Sequence, residues 1–168
     1  MGIADGFSRV SNGRPVGVFA MQYGPGAENA FAGVATAYSD SVPVLVIPLG
    51  HTTDKAGVLP HFNSMRVFGP VTKSVEEVNI ADRVGEVMRR AFSNLSMGPP
   101  GPVMVEIPAD VATQEVEESA VTYQPIKAAR TAGNPRDVDQ AARVLVEAKR
   151  PLIHAGQGVL YAEASGEL

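Results

Sequence analysis

Short continuous apolar runs alternate along this chain with stretches whose apolar residues recur at helical spacing. The runs suit strands buried on both faces, and the spaced stretches suit amphipathic helices. Together they predict an α/β fold: an open, mostly parallel sheet with helices on both faces. Ile3, Phe7 and Val10 fall on one face of a short helix that Asn12-Gly13 ends. Val16 to Met21 reads as a strand. Gly24-Pro25-Gly26 then turns the chain into a helix from about Ala27 to Ser39, with the stripe Ala27, Ala30, Phe31, Val34, Ala35 and Tyr38. A second buried strand, Val42 to Leu49, completes a βαβ unit.

Residues 51–68 are irregular and hold His51 and His61. Loops of such length are more often functional than incidental. Val71 to Val75 suits a short strand. Asn79 is placed to cap a helix with the stripe Ile80, Val84, Val87, Met88, Ala91, Phe92 and Leu95. Gly98-Pro99-Pro100-Gly101 stops it, and Val103 to Ile107 forms a third buried strand closed by Pro108. Helical periodicity then fades until Asn134-Pro135-Arg136-Asp137, a capped helix start with the apolar face Val138, Ala141, Ala142, Leu145 and Val146. Pro151 to Ala155 reads as one more strand, with His154 within it and satisfied in a core, before Gly156-Gln157-Gly158 and a final helix start. The expected division is a domain over 1–112, a surface linker over 113–133, and a βα piece over 134–168 too small to bury a core alone.

Composition narrows the function. The net charge is −4, with no Lys/Arg cluster able to track phosphates, which argues against a nucleic-acid partner. The absence of cysteine removes disulfides, thiolate metal sites and a cysteine nucleophile, and fits a reducing, cytoplasmic setting. No apolar run reaches the length of a membrane span, and the first residues lack the basic-then-apolar pattern of a signal peptide.

Candidate chemistry gathers at predicted strand ends, where parallel sheets bind ligands. Gly24-Pro25-Gly26 follows the first strand and opens a helix N-terminus, whose free N–H groups favour an acceptor or anion. A tight structural turn explains the same residues equally simply. Asn29 stands where a dinucleotide fingerprint needs glycine, and no G-K-[ST] follows, so neither phosphate-loop motif is present. His51 directly follows the second strand and reads either as a reactive group or as a hydrogen-bonded structural one. The three histidines lack metal-ligand spacing, and no metal site is expected.

Longer motifs sharpen this picture. Ala4-Asp5-Gly6-Phe7-Ser8-Arg9 with Asn12-Gly13-Arg14-Pro15-Val16-Gly17-Val18 is followed by Gly24-Pro25-Gly26-Ala27-Glu28-Asn29. Next come Ala35-Thr36-Ala37-Tyr38-Ser39-Asp40-Ser41-Val42-Pro43 and Pro70-Val71-Thr72-Lys73. Gly101-Pro102-Val103 with Ile107-Pro108-Ala109-Asp110-Val111, then Arg150-Pro151 with Gly156-Gln157-Gly158, complete the set. In this order they resemble the thiamine-diphosphate-dependent enzymes of the acetolactate synthase type.

The resemblance implies a pyrimidine-binding domain of the thiamine-diphosphate fold, followed by the opening of a central domain. It implies that Gly24, Pro25 and Gly26 press backbone against the cofactor's aminopyrimidine ring and that Asn29 fixes the loop. It places the family's activating glutamate before Met1, so no catalytic residue is assigned within the chain. Magnesium and the diphosphate belong to a later domain of the intact enzyme, and FAD accompanies them in part of the family. His51 stands where the family carries glutamine, and Gln22-Tyr23 replace Thr-Ser, which makes Tyr23 and His51 the substrate-side candidates. Residues 59–68 do not follow the family's loop. The expectation is a piece of a 2-keto acid enzyme that forms or breaks a carbon–carbon bond as a homodimer or homotetramer and is inactive alone. The alternative is a standalone pyrimidine-domain subunit or interaction module that works only with a partner chain.

Overall fold

Four parallel strands form the centre of the first unit in this computed structural model, which describes residues 1–127 and 131–168. They are β1 (Gly17–Met21), β2 (Val44–Gly50), β3 (Ser74–Glu77) and β4 (Val103–Pro108), arranged β1-β2-β4-β3. Around them lie α1 (Gly2–Val10), α2 (Pro25–Ser39), α3 (Ser64–Phe68), α4 (Val84–Ser96) and α5 (Ala109–Ala112). The open parallel α/β sheet expected from the apolar runs is therefore present.

Alternation along the two central strands sends side chains to two separate cores. Val44 and Val46 of β2 and Met104 of β4 pack with Ala27, Ala30, Val34 and Ala37 of α2 and with Phe68. Leu45, Val103 and Val105 pack on the other side with Val87, Ala91 and Leu95 of α4. Phe68 is wholly buried, with its ring 5.6 Å from that of Phe31. Truncation of such a residue to alanine costs about 3–5 kcal/mol.

Several expectations change in detail. In α1 the buried residues are Ala4 and Ser8, whereas Ile3, Phe7 and Val10 are exposed. The reason is close approach: a Cβ on Gly17 would lie 2.1 Å from the Ala4 carbonyl oxygen, and the Gly17 N–H donates to Ser8 Oγ at 2.7 Å. Only small side chains fit that seam. Strand β1 is an edge strand, and Val18 on it is half exposed. In α2 it is Ala37, not Tyr38, that faces the core.

Strand β3 begins at Ser74 because Gly69–Val71 forms a 3-10 turn. Asn79 does not cap α4. The Val78 N–H still donates to the Glu106 carbonyl, so pairing runs past β3, and a 3-10 turn at Ala81–Arg83 delays the helix to Val84. At the other end of α4, Lys73 Nζ donates to the carbonyls of Asn94 and Met97, where a cation satisfies the last free acceptors.

The first unit spans Met1–Ala128 and the second Ala129–Leu168. The first thus continues past residue 112: Tyr123 meets Phe92 edge-on at 6.4 Å, and a Cβ on Gly85 would lie 2.4 Å from the Thr122 carbonyl oxygen. Residues 128–130 of the expected linker lie outside the described residues. In the second unit, α6 (Pro135–Glu147) starts as expected, with the Arg136 N–H donating to the Asn134 side chain, and α7 (Gly158–Tyr161) follows. Residues 151–155 form no strand, and His154 is exposed rather than held in a core. Among the described residues of this unit there is no second strand to pair with them, and an apolar run without a ladder partner does not become a strand.

Candidate functional site

The carboxyl ends of β1, β2, β3 and β4 share one edge of the sheet because all four strands run parallel. Each end delivers a different group to that edge.

After β1 the chain turns at Gly24, which adopts φ 57° and ψ −116°, a conformation that side-chain-bearing residues rarely take. Pro25 and Gly26 are the first residues of α2. Proline suits this position because its missing N–H would have no helical partner. The Glu28 N–H donates to the Gly24 carbonyl at 2.9 Å and closes the turn. Gly24 is buried, Pro25 is exposed and Gly26 is half-buried, so the ridge offers backbone and a flat proline ring rather than long side chains. A Cβ on Gly26 would come 2.7 Å from Gln22 Cγ. Such a smooth ridge at a helix N-terminus fits a flat heteroaromatic ring. Asn29 is exposed, and its side chain makes no hydrogen bond to the described residues.

After β2, His51 extends the same edge. Its ring lies 4.7 Å from that of Tyr23 and 4.4 Å from that of His61, both tilted. The two histidines, separated in the sequence, are thus neighbours in space. His51 Nε2 is buried without a protein partner. Burial, reinforced by His61 and Lys55, pushes the His51 imidazole below its ordinary range, which leaves it neutral at pH 7.

Beside His51 opens a cavity of about 550 Å³. His51, Lys55, His61 and Arg66 line it together with Glu77, Asn79 and Glu106. Glu77 and Glu106 stand directly opposite each other in the β3–β4 register. Glu106 Oε2 is buried without a partner, and a Cβ on Gly50 would lie 2.8 Å from Oε1. Burial first, and then the Glu77 charge, pushes the Glu106 carboxyl up to about 7. Asp110 braces the segment after β2: its Oδ1 accepts from the Thr53 N–H at 3.0 Å and its Oδ2 from the Thr53 hydroxyl.

Tyr23 and His51 are brought together as the two substrate-side candidates, adjacent to the Gly24-Pro25-Gly26 ridge. The pairing with His61 and the role of Glu106 were not legible from spacing alone. One signal was present: Glu106 is the single charged residue in the otherwise apolar Val103–Pro108. Among the described residues no cluster of three or more His, Cys, Asp or Glu could hold a metal ion, and no helix is long and apolar enough to cross a membrane.

Comparison with known proteins identifies relatives of the chain. Residues 1–78 match the family model of the thiamine pyrophosphate enzyme, N-terminal TPP binding domain. The chain is 35% identical to a probable acetolactate synthase large subunit of Methanocaldococcus jannaschii, over 98% of its own length and 29% of the relative. It is 36% identical to an acetolactate synthase of Arthrospira platensis, over 98% and 29% of the two chains. With the glyoxylate carboligase of Escherichia coli O157:H7 it shares 31% identity, over 99% and 28%. The chain thus spans under a third of the length of these curated relatives, and the similarity runs through both of its units. Residues 1–78 thus match the N-terminal TPP binding domain of the thiamine pyrophosphate enzymes, and both units are similar to a stretch of acetolactate synthase large subunits.

Proposed function

We propose that this chain supplies the pyrimidine-binding side of a thiamine diphosphate site in an enzyme that forms or breaks carbon–carbon bonds of 2-keto acids. The observation that carries the reading is the side-chain-poor Gly24-Pro25-Gly26 ridge at the N-terminus of α2, set beside the Tyr23–His51 pair. The names of the relatives, acetolactate synthase and glyoxylate carboligase, support a carboligase-type reaction.

When bound, the cofactor supplies an electron sink for carbanion chemistry at a keto carbon. The residues of this chain orient and shield. Gly24 sets the turn, Pro25 and Gly26 offer the flat surface, and Tyr23 and His51 carry that surface toward the cavity. His51, neutral at pH 7, accepts one hydrogen bond and donates another there without carrying charge. Magnesium and the diphosphate are held by segments of the intact enzyme that this chain does not span, and a homodimer or homotetramer completes the site. The chain alone therefore binds the cofactor weakly and does not turn over.

An assay of pyruvate consumption by the purified 168-residue chain with thiamine diphosphate and Mg²⁺ tests this. No turnover is expected from the chain alone. Sustained turnover would show that it needs no further segment, and would overturn that part of the reading.

A further inference from the structure

The ridge and the Tyr23–His51 pair leave one wall of the cavity unexplained. That wall is Glu106, on the same face of β4 as the buried Met104 and two residues closer to the carboxyl edge. One carboxyl oxygen is buried with no partner. The other occupies space that exists only because residue 50 has no side chain. Glu77 stands opposite on β3, in register. Two carboxylates on adjacent strands repel, and a buried oxygen without a donor is costly as an anion. A carboxylic acid with its proton aimed at the cavity relieves both problems.

The other charged and titratable groups lining the cavity are His51, Lys55 and His61 on the segment after β2 and Arg66 on α3. Asp110 of α5 is held by Thr53. The cavity thus gathers basic groups and a carboxyl pair in one lining.

We propose that Glu106 is the proton-holding group of this cavity: neutral, it donates an O–H to an oxygen of a small carboxylate lodged among the basic side chains, and ionised, it repels that ligand. This assigns a specificity role to Glu106 and rests on the cavity being the substrate side of the site. No bond is made or broken; the proton stays on Glu106 while the ligand is bound. The raised titration of this carboxyl agrees with the geometry.

The test uses the full 168-residue chain with ¹³C-labelled glutamate and pyruvate as the probe. The Glu106 side-chain carboxyl carbon titrates near 7, and Glu77→Gln moves its midpoint down because the facing charge is gone. Pyruvate affinity of the wild type, taken relative to Glu106→Gln, falls roughly eight-fold between about pH 6.5 and 8, the loss of the protonated fraction of a group titrating near 7. Both chains keep both histidines, so imidazole titration cancels in the ratio. A Glu106 midpoint in the ordinary carboxylate range, the same pH slope in both chains, or no pyruvate binding to either would overturn the proposal. If Glu106→Gln fails to fold, the midpoint in wild type and in Glu77→Gln decides. Failure of the ridge to bind a pyrimidine would leave the Glu106 titration unchanged, so the two readings fail separately.

Discussion

The ring of Tyr23 lies 4.7 Å from that of His51, which joins the turn after β1 to the end of β2. Through this contact the turn that carries Gly24-Pro25-Gly26 reaches His51, which lines the 550 Å³ cavity. On the proposed reading, cofactor orientation and substrate selection fall on neighbouring residues of a single sheet edge.

The turn depends on Gly24. Nothing lies within 4 Å of where its Cβ would sit, so a substitution there meets no clash and pays only for the backbone conformation at φ 57°. Gly24→Ala is expected to destabilise the chain by about 1–3 kcal/mol. A urea-denaturation midpoint checks this, and an unchanged midpoint would mean that the turn relaxes freely.

The seam between α1 and β1 depends on Ser8. Its hydroxyl is the acceptor for the buried Gly17 N–H. Ser8→Ala strands that donor and costs about 1–3 kcal/mol. Hydrogen exchange at Gly17 is expected to quicken in the variant, measured by amide NMR.

Glu106 makes stability depend on pH with a definite sign. Its carboxyl is raised in the folded chain relative to the unfolded one, so the folded state holds the extra proton between the two values. Its contribution is therefore present at acidic pH and is lost as pH rises through about 7. Glu106→Gln has no proton to lose. Its unfolding midpoint is expected to gain on the wild type from pH 5 to pH 8, measured in parallel urea titrations.

Asp110 acts in the opposite direction. The Thr53 hydroxyl, followed by backbone N–H donors, holds its carboxyl below the usual range. Its brace is present above the ordinary aspartate value and is lost as pH falls through the lowered one. Asp110→Ala removes it at every pH. Protection of the Thr53 amide is expected to disappear, whereas that of Gly17, in the seam with α1, is unchanged.

Much of this arrangement was legible in the sequence, and the exceptions share a cause. Apolar runs locate strands because a buried parallel strand is apolar on both faces, and β2 and, apart from Glu106, β4 obey that. Gly24-Pro25-Gly26 is legible because only glycine tolerates the turn. The face of α1 was misread because periodicity reports where apolar side chains lie, whereas a seam as close as Ala4–Gly17 selects for size. His51 and His61 met through a loop whose path no spacing rule describes. Glu106 escaped because register decides whether a strand carboxylate meets solvent or another carboxylate, and register follows from the pairing of β3 with β4.

The most direct measurement is an amide NMR titration of the ¹⁵N-labelled chain with the cofactor's isolated aminopyrimidine fragment at millimolar concentration. Chemical-shift changes are expected at Tyr23, Gly24, Gly26 and Ala27, and to vanish in Gly26→Val, which puts a branched side chain on the ridge. Changes confined to other residues, or an undiminished response in Gly26→Val, would contradict a pyrimidine site at this turn.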